Sequence, residues 1–402
     1  MRTPASRRAG TALLAVVLAL LPGCSAGGDA GGAPPRTTTS RSAAPSAPAT
    51  TSPAPVSEDE VLVTEALAGL DRRAQVSQLF VAGVPLDDLA SGDELAAAGV
   101  GGLFLAGRSS ASAADLAVTT GRWQSLAPGP GLWVAADQEG GLVQSLKGPG
   151  FDRLPPAVTQ GTLPPPELAA LADRMGASLR EAGVNLDLAP VVDVVPPGTE
   201  AGNAPIGAFD RQYGGTAAAV LAAAGPVVDG LAAHGVTATL KHFPGLGRVQ
   251  DNTDTAASVT DTGTTAGDEQ VAAFGTLAGS PARPFVMSSS AIYAQLDPAN
   301  PAAFSSAVLT GLLRGQLHFQ GVVISDDLGS ARAVAAVPPG DRAVRFLAAG
   351  GTLVLTADPD LVPGMTDAVL ARDGADPAFA ATLDAAVHTA LLAKAQAGLL
   401  PG

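Results

Sequence analysis

A single cysteine in 402 residues rules out an intrachain disulfide, and no grouping of Cys with the four His suggests a metal site. Basic residues are also short. There are 23 Lys and Arg against 37 Asp and Glu, a formal net charge of −14, which excludes a general phosphate-binding face and with it a nucleic-acid partner. No G-x-G-x-x-G follows the first apolar run, which argues against a dinucleotide fold, and no repeat of solenoid period is present. No cofactor is expected. What remains is a chain that is 47 % hydrophobic and only 15 % charged, long enough for one large domain or two ordinary ones.

The lone cysteine sits in an informative place. MRTPASRRAGTALLAVVLALLPGC opens with Arg2, Arg7 and Arg8, runs through an apolar stretch from Thr11 to Leu21, and ends Pro22-Gly23-Cys24. A basic start and an apolar segment this short read as an export signal. The ending resembles a bacterial lipobox, so residues 1–23 are expected to be removed and Cys24 to carry lipid. Ordinary secretion is the alternative. One acyl chain alone anchors weakly. From Ser25 to Val56 the chain is almost wholly Gly, Ala, Pro, Ser and Thr, which cannot bury enough apolar area to offset chain entropy. Residues 24–56 are therefore a tether, and residues 57–402 form the folded domain. The expected setting is extracytoplasmic, held to the membrane through the N-terminal lipid.

Within that domain, short apolar runs alternate with Ala-rich stretches of helical spacing. Strands are predicted at 78–83, 101–107, 132–138, 185–194, 237–242, 284–289, 321–327 and 351–357. Helices are predicted at 166–183 and 217–235, the second kinked or split by Pro226. Eight strands apolar on both faces, alternating with helices, point to a (β/α)8 TIM-type barrel, with a doubly wound sheet as the rival. An Ala-rich helical tail over 360–402 should pack on the barrel.

Barrel strands deliver their C-terminal residues to the mouth where active sites form. Here the predicted strand ends carry Asp137-Gln138-Glu139, Asp193, Lys241-His242 and Asp326-Asp327, several beside glycines that let backbone approach a ligand. Carboxylates and a lysine converging on one rim suit a polyhydroxyl ligand. They also suit chemistry in which one carboxylate attacks and another group donates a proton.

The segments ADQEGGLVQ, NLDLAPVVDV, KHFPGLG and GVVISDDLG together resemble glycoside hydrolase family 3, in particular its single-barrel bacterial β-N-acetylglucosaminidases. The resemblance runs from about Val76 to Pro359. It implies a retaining glycosidase acting on a carbohydrate, either peptidoglycan-derived or another β-glycoside, with Asp326 as nucleophile. It further implies that Asp137, Lys241 and His242 hold sugar hydroxyls, and that Arg211 in IGAFDRQYG matches the arginine of I-G-x-R-x-F-G, with two extra residues before it.

Some positions depart from that pattern. Where relatives continue KHFPG with H-G and then D-S-H, whose histidine donates the proton, this chain has Leu246 and Asn252-Thr253-Asp254. Leu142 and Ser145 replace arginines, Ser330 a methionine and Ser290 a histidine. Two readings follow. In one, Asp254 serves as general acid/base, with Asp251 the other nearby candidate; its pKa must rise above the ordinary value near 3.9 through burial or the charge of Asp326. In the other, the barrel keeps its sugar pocket but has lost hydrolysis and acts as a tethered sugar-binding lipoprotein.

Overall fold

The computed structural model describes residues 57–401. The expected export signal, the lipid-bearing Cys24 and the tether over 24–56 lie outside the described residues. Eight parallel strands form the centre: β1 Phe80–Pro85, β2 Gly102–Ala106, β3 Trp133–Ala136, β4 Leu186–Asp187, β5 Thr237–Phe243, β6 Phe285–Ser288, β7 Val323–Ser325 and β8 Val354–Thr356. Each pairs with its sequence neighbour from β1 through β7, and β1 pairs with β8. Closure between β7 and β8 comes from an Ile324↔Leu353 bridge and from Ser325 N–H, which donates to Leu353 O at 2.9 Å. The sheet is a (β/α)8 TIM-type barrel.

Every residue of β3, β4, β6, β7 and β8 is buried, as expected for strands covered by helices outside and packed side chains within. At the amino end of the barrel, Asn185 clips two strands together. Its Oδ1 accepts Val134 N–H at 2.7 Å and its Nδ2 donates to Leu132 O at 3.0 Å.

The strands are shorter than the apolar runs suggested. The 185–194 run contributes only Leu186–Asp187 to the sheet, because Pro190 supplies no N–H. Beyond Asp187 the chain stays beside β5 outside the regular ladder: Thr239 N–H donates to Ala189 O at 2.8 Å, Lys241 N–H to Pro190 O at 3.3 Å, and Val192 N–H to Lys241 O at 2.7 Å. The 132–138 run likewise stops at Ala136, and Gln138–Gly140 turns into a small hairpin with Val143–Gln144.

The helix predicted at 166–183 spans Pro165–Glu181. Its successor runs unbroken over Ala217–Ala232, straight through Pro226, so the predicted split does not occur. The residue before that proline is Gly225, and it has no Cβ for the pyrrolidine ring to meet. The C-terminal tail is two helices, Val362–Ala375 and Pro377–Gln396, the second started by Asp376, whose Oδ1 accepts Ala378 N–H at 3.0 Å.

Replacing Asn185 with alanine strands the buried N–H of Val134, while Leu132 O keeps its bond from Gln124 Nε2 at 2.9 Å. One orphaned buried group costs about 1–3 kcal/mol, so Asn185→Ala is expected to destabilise the domain by about that amount in urea unfolding. A loss within experimental error would show that the clip is dispensable.

Candidate active site

The loops at the carboxyl end of the barrel enclose an open cavity of about 340 Å³. All six residues singled out in the sequence line it: Asp137, Arg211, Lys241, His242, Asp254 and Asp326. They arrive from the ends of β3, β5 and β7 and from the loops after β4 and β5.

Two neighbouring residues of a regular strand point to opposite faces, yet Lys241 and His242 both face the cavity. The register of β5 against β6 shifts between Leu240 and Phe243, and a bulge of this kind re-aims side chains. The glycines of KHFPGLG then fold the loop back. Gly245 has φ +134°, open to glycine alone, and a Cβ at Gly247 would come within 1.9 Å of Val194 O.

Beneath the cavity lies an alternating row of charges. Lys241 Nζ is 2.7 Å from Asp137 Oδ1 and 2.6 Å from Glu139 Oε1. Glu139 in turn accepts two parallel hydrogen bonds from Arg211, at 2.8 and 2.7 Å. Burial pushes the Glu139 carboxyl up, but the charges of Arg211 and Lys241 outweigh it and hold the carboxyl down at about 2. Burial pulls Lys241 down, and Asp137 and Glu139 more than restore it, so its pKa ends above the ordinary lysine value. Four oppositely charged groups are thus fixed side by side in the floor of the cavity.

His242 is pinned from behind. Its Nδ1 is 2.7 Å from Asp193 Oδ2, while Asp193 Oδ1 accepts the backbone N–H of His242 at 3.1 Å and of Leu246 at 2.7 Å. With Nδ1 committed to a carboxylate, Nε2 is the nitrogen left for a ligand. Of the other histidines, His234 lies against Asp173 and His388 against Glu60, both outside the cavity lining.

Asp326 sits half-buried at the end of β7, its N–H on Ser288 O at 3.2 Å and its Oδ1 accepting Asp327 N–H at 2.8 Å. Asp327 is occupied structurally. Its carboxylate accepts N–H groups from Gly329 at 2.8 Å, Ala357 at 2.9 Å and Ser330 at 3.2 Å. Asp254 reaches the cavity because its loop is stitched to the segment after β7: Arg332 N–H donates to Asp254 O at 3.2 Å and Ala333 N–H to Thr253 O at 3.0 Å. Although Asp254 stays open to solvent at the lip, desolvation by the surrounding loops, followed by the nearby charge of Asp326, raises its carboxyl to about 6. Asp251 is exposed and does not line the cavity. At the departures, Leu246 is buried, Ser145 gives its N–H to Asp137 O at 2.9 Å, and Ser290 is buried with its hydroxyl unpaired.

Sequence reasoning placed Glu139 and Asp193 at the rim without giving either a role, and it did not single out Asp187. All lie within the conspicuous segments, so the signal was present. Their roles depend on partners 49 to 72 positions away. Asp187 is fully buried; its Oδ1 accepts Gln138 N–H at 3.0 Å and its Oδ2 has no partner. Burial, aided by Asp137 and Glu139, lifts its pKa to about 8 against the opposing pull of the Gln138 N–H and Lys241, so it holds its proton at neutrality.

The consequence for stability has a definite sign. Between the unfolded carboxyl value near 3.9 and the folded value of about 8, the native state binds the extra proton, so stability falls as pH rises across that window. Asp187→Asn mimics the protonated acid. It should match the parent in melting temperature near pH 4 and exceed it at pH 8 and above. Parallel curves for the two proteins would contradict the assignment.

The sequence profile of the Glycosyl hydrolase family 3 N terminal domain matches residues 73–386. A protein named beta-hexosaminidase from Xanthomonas campestris pv. campestris (strain B100) is 36 % identical over 283 residues, covering 68 % of this chain and 82 % of the relative. Among solved structures, a beta-N-acetylhexosaminidase from Beutenbergia cavernae DSM 12333 superimposes with a TM-score of 0.78 at 46 % identity, covering 81 % of this chain and 98 % of that one. A family 3 beta-N-acetylglucosaminidase from Paenibacillus sp. str. FPU-7 gives 0.72 at 28 % identity, over 83 % of this chain and 64 % of that one. On the matched span, the barrel and the charged cavity at its mouth, this chain belongs to glycosyl hydrolase family 3.

Proposed function

We propose that the domain is a retaining β-N-acetylhexosaminidase that removes terminal β-linked N-acetylglucosamine, or a closely related β-glycoside, through a glycosyl-aspartate intermediate. The observation that carries this reading is the meeting of Asp326 and Asp254 in one cavity whose floor is the Asp137, Lys241, Glu139 and Arg211 charge row. The relatives' names give the substrate class.

In the first half-reaction Asp326 attacks the anomeric carbon while Asp254 gives its proton to the departing glycosidic oxygen. A carboxyl lifted to about 6 still holds part of its proton near neutrality, which an ordinary aspartic acid does not. In the second half-reaction Asp254, now ionised, takes a proton from the water that releases the sugar. Asp137, Lys241 and His242 position the ring through its hydroxyls, and Arg211 acts by fixing Glu139, which fixes Lys241. The purely sugar-binding alternative is less favoured, because a binder has no need of a carboxyl raised toward neutrality opposite the nucleophile.

The same proposal places the enzyme outside the cytoplasm, lipid-anchored and supplied with cell-wall glycan. Its support is the basic start, short apolar stretch and Cys24 of the N-terminal sequence, followed by a 24–56 tether.

Four experiments test these points. Asp326→Ala should abolish turnover of aryl β-N-acetylglucosaminides. Asp254→Ala should slow substrates with poor leaving groups by about 10² to 10⁴-fold and those with good ones far less; equal losses for both would remove Asp254 from the mechanism. In the parent, kcat/KM on poor leaving groups should decline as pH rises through about 6, where Asp254 loses its proton. For localisation, labelling with a palmitate analogue should mark the full-length chain in its host and fail on Cys24→Ser; equal labelling of both would refute the anchor.

A further inference from the structure

Few large apolar side chains of the described residues face solvent, and two of them stand at the rim of the active-site cavity. Leu142 is 58 % exposed and Phe209 is 41 % exposed. They come from different loops, those that follow β3 and β4. Both line a second hollow of about 470 Å³, together with Leu154, Pro155 and Pro156. The hollow adjoins the first: Phe209 lines both, and Val143, next to Leu142, lines the active-site cavity. Solvated apolar surface next to a ligand cavity marks a place where something is to be covered. Arg153 and Asp210 complete its lining and leave it without net charge.

We propose, on the footing of the glycosidase reading above, that Leu142 and Phe209 form the aglycone subsite of this enzyme, a platform for a neutral pyranose on the leaving side of the scissile bond. Its occupant is the second sugar of a β-linked disaccharide or longer chain. A pyranose has an apolar C–H face and a rim of hydroxyls. The face lies against the Phe209 ring and Leu142, and the rim reaches Arg153 and Asp210. A hollow of this volume falls within the range of sites that enclose a small ligand. Opposite charges on its walls favour a neutral sugar over an anionic one, which Asp210 would repel. Leu142 also bears on specificity. A long cation at this position would project charge over the platform, whereas leucine leaves it apolar, so this chain should prefer an extended neutral glycan to a small or polar leaving group.

The test compares two substrates that share the cleaved sugar and differ only in what leaves. N,N′-diacetylchitobiose fills the platform, while methyl β-N-acetylglucosaminide does not reach it. Leu142→Ser should lower kcat/KM for the disaccharide about tenfold, mainly through KM, and leave the methyl glycoside within about twofold. Equal losses on both substrates would assign Leu142 to the fold or to the cleaved sugar, and no loss on either would leave the hollow unused; each overturns the proposal. Should the parent cleave neither, it is the glycosidase reading that fails, and calorimetry on Asp326→Ala then decides the subsite. Tighter binding of the disaccharide than of the methyl glycoside, lost in the Leu142→Ser, Asp326→Ala double variant, sustains the platform. Equal binding of the two sugars refutes it.

Discussion

Lys241 between Asp137 and Glu139 is the contact on which the rest of the site depends. A buried ammonium without partners would lose its proton or unfold the site, and a buried carboxylate would gain one. Arranged in alternation with Arg211, the four groups offset each other's desolvation. Removing one member leaves an uncompensated charge in the barrel floor, which is costlier than the pair is stabilising. The arrangement is thus worth more as a rigid template than as a source of stability. It keeps hydrogen-bonding atoms at fixed positions before any sugar arrives, and preorganised polarity of this kind is what a glycosidase needs.

The architecture supplies that template through loops whose shape is decided locally. The bulge in β5 turns two adjacent side chains to one side, and Asp193 locks the second of them. Asn203 links the loop after β4 to the one after β5, its Nδ2 donating to Leu246 O at 2.8 Å and Val249 O at 2.7 Å. The loop that carries Asp254 is bound in turn to the segment that follows Asp326. Asp254 and Asp326 are therefore held by one chain of contacts. A carboxyl in place of an imidazole is workable in such a setting, since burial first and the charge of Asp326 second raise the Asp254 carboxyl.

Much of this was legible in the sequence, for identifiable reasons. Apolar runs on a βα rhythm gave the barrel, and polar residues at their ends gave the mouth, because strand polarity in this fold leaves little choice. All six residues chosen from KHFPGLG, SDD, DQEGG and their companions line a single cavity. Strand lengths were overestimated, since hydrophobicity reports burial and not regular ladder geometry; the 188–193 segment is buried and bonded to its neighbours, but it leaves the regular strand after Asp187. Pro226 was read as a kink or split from its own chemistry, without weighing the preceding Gly225, which offers the ring no Cβ to meet. What Glu139, Asp193 and Asp187 do was hidden for a different reason. Their function is to orient another residue, and that is a property of three-dimensional neighbours, not of residue type.

The central claim is that the Asp326 carboxylate becomes covalently joined to the sugar while Asp254 governs the proton. The Asp254→Ala variant isolates it, because an activated aryl glycoside needs no acid to leave but the intermediate still needs a base to be hydrolysed. Mass spectrometry of that variant after brief exposure to 2,4-dinitrophenyl β-N-acetylglucosaminide should find one sugar residue attached to the peptide that contains Asp326. Steady release of dinitrophenol with no adduct on the protein, or an adduct on another side chain, would contradict the account.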